Sequence, residues 1–174
     1  MKKTVLTFGL IGGAIMAAMM FATLPFVDKI GFDTGAIVGY TTMILAFMLV
    51  FFGVRSYREN VSDGHITFGR AFAVGILITL VACVCYVVAW EIIYFKFMPD
   101  FADKYASYVI EKARASGASQ QVIDTQLQQM KSFKAMYDNP FINAAITFTE
   151  PFPMGLIVTL ISAAILRKKK SAHV

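Results

Sequence analysis

Glu150 stands at the head of a proline pair, in Thr147-Phe148-Thr149-Glu150-Pro151-Phe152-Pro153, inside an apolar run of membrane-spanning length. A carboxylate at hydrocarbon depth costs roughly 2.5 to 3.5 kcal/mol on insertion scales, so it needs either a chemical task or a specific partner. Pro151 has no N–H for the carbonyl of Thr147, and Pro153 has none for that of Thr149. The helix is therefore expected to kink there and free both carbonyls. With the hydroxyls of Thr147 and Thr149, Glu150 would then form an oxygen-rich patch of the kind that holds a proton or a small cation. A second carboxylate, Glu91, lies in another apolar run beside Trp90 and Tyr94. Counted from the outer ends of their helices at 1.5 Å per residue, Glu150 is roughly 14 Å deep and Glu91 roughly 9 Å.

Two readings of Glu150 compete. In the first it is a neutral carboxyl hydrogen-bonded across neighbouring helices, with the kink serving packing. In the second it accepts a proton or cation, and contact with a lipid or a partner is a further use of the same group. No Lys or Arg occurs in 141–166, and the basic cluster that starts at Arg167 is roughly 25 Å away along a straight helix, too far for a direct pair.

Other chemistry has little to stand on. The sequence has no phosphate-binding glycine loop, no nucleophile elbow, no His-Glu-x-x-His pair and no dinucleotide fingerprint. His65 is a lone histidine, distant from His173, and zinc needs three or four ligands. No catalytic residue, metal or cofactor is expected. Cys83 and Cys85 lie about 200° apart around a helix, which disfavours a bond between them, and are read as small apolar packing residues.

The elements that must position the carboxylates are four long apolar runs, at 5–26, 34–54, 68–95 and 141–166. Each reaches the roughly 20 residues that cross a hydrocarbon core. Hydrophobic residues make up 57% of the 174-residue chain and charged residues 16%, a balance more apolar than in soluble domains. An all-α integral membrane four-helix bundle is the expected fold. Lys2 and Lys3 ahead of the first run resemble the start of a secretory signal, but the run continues to Phe26 without a good cleavage site, so a retained helix is expected.

Orientation follows from the basic residues. With both termini in the cytoplasm the inner segments carry a net charge of +7 and the outer segments zero. This distribution obeys the positive-inside rule and supports both termini in the cytoplasm. The basic character then points to anionic lipid at the cytoplasmic face and not to nucleic acid.

Small residues repeat every fourth position: Gly9 and Gly13 in the first run, Gly35 and Gly39 in the second, Gly75 in the third and Gly155 in the fourth. Such residues let helices approach closely where lipid offers no hydrophobic drive, within one bundle or in a homo-oligomer. The short segment 27–33 should be an outer loop with Asp33 or Thr34 capping the second helix. The inner segment 55–65 carries a turn signal at Asp63-Gly64.

The stretch 96–139 is the sizeable extramembrane insert. Pro99-Asp100 opens an amphipathic pattern with Phe101, Tyr105, Tyr108 and Val109 on one face, and Gly117 closes it. A second pattern follows Ser119 and gathers Ile123, Leu127, Met130 and Tyr137. Two helices of this size are too small for a core of their own, so they should dock on the mouth of the bundle or on the outer leaflet.

Two stretches resemble the bacterial "domain of unknown function 4199" family. The first is Arg55-x-Tyr57-Arg58-Glu59 followed by Gly64-x-Ile66-Thr67-Phe68-x-x-Ala71-Phe72-x-x-Gly75. The second is Glu150-Pro151-Phe152-Pro153-x-Gly155-Leu156-Ile157, ending in Ala164-Ile165-Leu166-Arg167-Lys168-Lys169. The resemblance implies a small four-span inner-membrane protein with a helical insert before the last span. It brings no catalytic or binding residues with it. Two function classes remain: a structural, regulatory or partner-binding module, or an oligomeric proton- or cation-coupled transporter using Glu150 and Glu91.

Overall fold

The computed structural model describes residues 1–168, and over these the chain is all-α. Its helices are α1 (Lys2–Thr23), α2 (Val27–Val61), α3 (Phe68–Ile92), α4 (Phe101–Ala115), α5 (Gln120–Tyr137), α6 (Pro140–Phe148) and α7 (Pro151–Leu166). Lys169, Lys170 and His173 lie outside the described residues. Three helical stretches are long and apolar enough to cross a membrane: Lys2–Val61, Phe68–Phe97 and Pro140–Leu166. They mark a membrane protein.

The first of these stretches is not one rod. A 3₁₀ turn at Leu24–Phe26 and the non-helical Gly31 (φ 71°, ψ 168°) fold it back, so that α1 packs along α2. Glycine takes this positive φ without the Cβ clash that another residue would meet. The expected loop at 27–33 is thus largely helical, because the reversal is concentrated at Leu24–Phe26 and Gly31. Nor does Asp33 cap a helix; its carboxylate is engaged by the insert. Helix α2 continues to Val61, and its connection to α3 tightens to a turn with positive φ at Asp63 and Gly64. Thr67 then caps α3, accepting from the Arg70 N–H at 3.3 Å.

Helices α1, α2, α3 and α7 share one apolar core, with α3 packed against each of the other three. Phe47, Val50 and Val54 of α2 meet Ala71, Val74 and Ile78 of α3 there, with Met16 of α1 and Ala163 of α7. Close approach depends on glycine. A Cβ at Gly9 would lie 2.7 Å from the Val81 Cβ, one at Gly75 would lie 2.9 Å from the Thr159 methyl, and those at Gly13 and Gly155 would collide with Cys85 and Thr79. Where α3 and α7 touch, the buried Thr79 hydroxyl reaches the Gly155 carbonyl at 3.3 Å and the Thr159 hydroxyl at 3.0 Å. This polar pair adds hydrogen bonding to the small-residue contact.

Gly35 and Gly39 behave differently. A Cβ at either would meet nothing within 4 Å, so the expected close helix contact is not made there. Spacing alone cannot say which glycine face meets a neighbour.

The end of the bundle that carries the Asp63-Gly64 turn is tied by polar contacts. Arg58 donates to the Leu166 carbonyl at 3.1 Å, Arg70 donates to the Tyr57 hydroxyl at 2.9 Å, and Ile66 pairs with Lys168 in an isolated antiparallel bridge. At the other end α4 and α5 form a helical hairpin, closed at Gly117 (φ 76°). Ser119 precedes α5 in extended geometry without a side-chain cap bond.

Candidate functional site

Proline chemistry sets the centre of the site. The expected irregularity is a two-residue interruption: α6 ends at Phe148 and α7 begins at Pro151, and Thr149 and Glu150 between them keep helical dihedrals while the hydrogen-bond ladder lapses. The Thr147 carbonyl is not left free as expected, because it accepts the Glu150 N–H at 3.3 Å. Glu150 therefore sits at the N-terminal end of α7, where the helix dipole favours negative charge.

Its partner comes from α3. Tyr86 is buried, and its hydroxyl donates to Glu150 Oε2 at 2.8 Å. The neighbouring-helix hydroxyl anticipated from the sequence is thus present, with the tyrosine as donor and the carboxylate as acceptor.

The rest of the anticipated oxygen patch is dispersed. Thr147 is fully buried and donates to Asn143 Oδ1 at 3.1 Å, with the Tyr137 hydroxyl 3.4 Å away. Asn143, also fully buried, donates in turn to the Tyr137 carbonyl at 3.1 Å. The Thr149 hydroxyl turns back to the Ile146 carbonyl at 2.6 Å. Thr147 and Thr149 thus spend these hydrogen bonds on local structure, and Pro151 and Pro153 act by starting α7.

Glu91 does not join Glu150. Tyr86 and Trp90 of α3 lie one turn apart, and with Ile93 just beyond the end of the helix they line the same cavity as Glu150. Glu91 is five residues beyond Tyr86, about 140° around the helix, and is absent from that wall. Its Oε1 is buried without a hydrogen-bond partner.

The cavity measures about 460 Å³. Helices α1 and α2 supply one wall, where Met16, Met20, Gly35 and Gly39 stand. The space over the two α2 glycines is what their missing side chains leave open. Helix α3 supplies Tyr86 and Trp90, and the insert overhangs the cavity with Phe101, Tyr105, Phe133 and Tyr137, leaving it partly open with Gly35, Tyr40 and Glu150 exposed. Among the described residues that line it, Glu150 is the one with a formal charge.

Long side chains hold the insert over this space. Phe32 of α2 packs against Tyr105 and Tyr108 at ring separations of 5.4 and 5.0 Å, and Trp90 of α3 meets Phe101 edge-on at 4.9 Å. Around the rim, Lys112 donates to Asp33 at 2.8 Å, Lys104 to Asp28 at 3.3 Å, and Lys134 to Asp103 at 2.6 Å. The Asp33 hydrogen bond, and after it the Tyr108 hydroxyl, raise the pKa of Lys112. Asp103 does the same for Lys134. Within α5, Ile123 is buried while Leu127 is 38% exposed, so Leu127 is not part of the docked face expected from its spacing.

Tyr86, Asn143 and the cavity itself were not anticipated from the sequence, and Tyr137 was anticipated only as part of the apolar face of its helix. Tyr86 and Trp90, one helical turn apart in an otherwise apolar span, were the available signal. Among the described residues no group of three or more His, Cys, Asp or Glu is placed to hold a metal ion. No curated protein and no solved structure matches the chain. Residues 7–168 match the family described as Protein of unknown function (DUF4199), and the chain belongs to that family.

Proposed function

We propose that the chain is a non-catalytic binding module, structural or regulatory, built as a four-span bundle of the bacterial inner membrane. Both termini face the cytoplasm and the insert 96–139 lies outside. The observation that carries this reading is the outer cavity: a wall of methionine and aromatic side chains, one carboxylate, and an aromatic cap that overhangs it. A volume of about 460 Å³ falls within the range of small-molecule pockets, roughly 300 to 1,000 Å³. A path for ions would need polar groups in succession, and this wall is mostly apolar.

The fold-back of α1 onto α2 supports four spans, since a straight 60-residue helix would run about 90 Å, three times the hydrocarbon thickness. The inner-end cluster of Arg55, Arg58, Arg70, Arg167 and Lys168 suits anionic lipid at the cytoplasmic face. Exposed apolar side chains along α2, among them Ile37, Ile44 and Leu45, suit lipid or a membrane-embedded partner, including a second copy.

The competing reading, an oligomeric proton- or cation-coupled transporter, draws support from the presence of Glu150 in the cavity wall. It uses Glu91 as well, which would need a second path.

Reporter fusions test the arrangement. An alkaline phosphatase fusion after Lys134 should be active and one after Lys168 inactive; the reverse pattern contradicts the topology. Proton or cation flux in proteoliposomes that disappears in a folded Glu150→Gln variant would replace the binding reading with the transport one.

A further inference from the structure

We propose that the outer cavity binds a lipophilic cation, with Glu150 as counter-ion and the surrounding aromatic rings as its cage. The inference rests on the reading of the chain as a binding module, and it names the class of ligand.

Complementarity selects this class of ligand. An apolar cavity excludes ions that keep their water, so its occupant must have an apolar body. The one formal charge in the wall is negative, and it is fixed in place by the Tyr86 hydroxyl at 2.8 Å. A carboxylate in such surroundings calls for a positive partner, because a low dielectric strengthens the attraction that water would screen. Tyr86, Trp90, Tyr105 and Tyr137 share the cavity with it, and aromatic faces attract cations that have shed their hydration. Lysine-like ammonium groups are strongly hydrated, whereas quaternary ammonium and phosphonium centres carry their own apolar shell. Flexible methionines, here Met16 and Met20, adapt to ligands of irregular shape. An anionic or purely hydrocarbon ligand would leave Glu150 facing either a like charge or no partner.

Trp90 supplies the measurement, since it is the single tryptophan of the chain and lines the cavity. The protein in nanodiscs of neutral lipid is titrated with tetraphenylphosphonium while Trp90 fluorescence is followed. Empty nanodiscs and tetraphenylborate, an anion of nearly the same size and shape, serve as controls. The expected result is a saturable change with the phosphonium and no competition from the borate. Glu150→Gln, checked for folding by its thermal melt, should bind about tenfold more weakly or worse. Gly39→Leu should abolish binding by filling the open space over α2 while leaving Glu150 untouched.

An unsaturable response, equal binding of the borate, or unchanged affinity in either variant overturns the inference. Saturable binding that ignores charge would refute the cation but leave the binding module standing. Failure of the module itself is read separately, from the fusions and the flux assay.

Discussion

Tyr86 and Glu150, 64 positions apart in sequence, are joined by a 2.8 Å hydrogen bond across the α3–α7 boundary, at the point where two prolines have interrupted the last apolar stretch. The interruption places Glu150 at the start of α7, and the tyrosine fixes the direction of its carboxylate. One contact thus couples the local chemistry of proline to the packing of two helices.

Glu150→Gln retains an acceptor oxygen for Tyr86 and should change stability by less than about 0.5 kcal/mol. Glu150→Leu leaves the buried hydroxyl without a partner and should cost about 1 to 3 kcal/mol. Unfolding in mild detergent, followed by circular dichroism, distinguishes the two. Equal losses would mean that the hydrogen bond contributes nothing.

Asn143 should be among the most sensitive positions of α6. It is fully buried and bonds both Thr147 and the Tyr137 carbonyl, so Asn143→Leu strands groups that have no water to turn to. A loss of about 2 to 3 kcal/mol is expected, and a neutral outcome in the same unfolding assay would contradict the buried network.

Two glycine substitutions should part company. Gly9→Ala forces a methyl against Val81 and the Ile78 carbonyl, costing about 1 to 3 kcal/mol. Gly35→Ala meets open space and should be neutral or stabilising by up to about 1 kcal/mol through helix propensity. Comparable losses at both positions would place α2 against another element there.

Much of this organisation was legible in the sequence because it is local. The apolar runs, the turn at Asp63-Gly64, the closure at Gly117 and the interruption at Pro151 each follow from a few adjacent residues. What escaped was set by tertiary contact. Gly35-x-x-x-Gly39 reads like Gly9-x-x-x-Gly13, yet only the latter pair lies against another helix, because the reversal at Leu24–Gly31 fixes which faces meet. Glu91 and Glu150 looked like a pair by type and depth. The rotation of α3 separates them, turning Tyr86 and Trp90 to the cavity instead. Leu127 fitted the period of its helix but lies on a face nothing covers.

The rim of ion pairs should make the cap sensitive to alkali and salt. Lys104, Lys112 and Lys134 all have raised pKa values owing to their carboxylate partners. A raised lysine contributes its full stabilisation below its ordinary value, 10.5, and loses it as pH climbs through the higher folded value. Docking of α4 should therefore weaken above about pH 10.5 and at high ionic strength, with no change between pH 6 and 9 from these groups. The fluorescence of Trp90, the single tryptophan, which packs against Phe101 of α4 at 4.9 Å, reports it when measured against pH and salt; an invariant spectrum would assign docking to the aromatic contacts alone.

The account's central claim is that the insert forms a settled cap over the Glu150 cavity, and amide hydrogen exchange across 101–137 in native-lipid nanodiscs tests it most directly. Isolated helices of 15 and 18 residues are marginal in water, so slow exchange there must come from docking. Protection should be strongest in α4 around Ala102 and Ile110 and at the Tyr137 end of α5, and weaker near Leu127. Uniformly rapid exchange through both helices would contradict the cap, and with it the aromatic wall that α4 and α5 give the cavity.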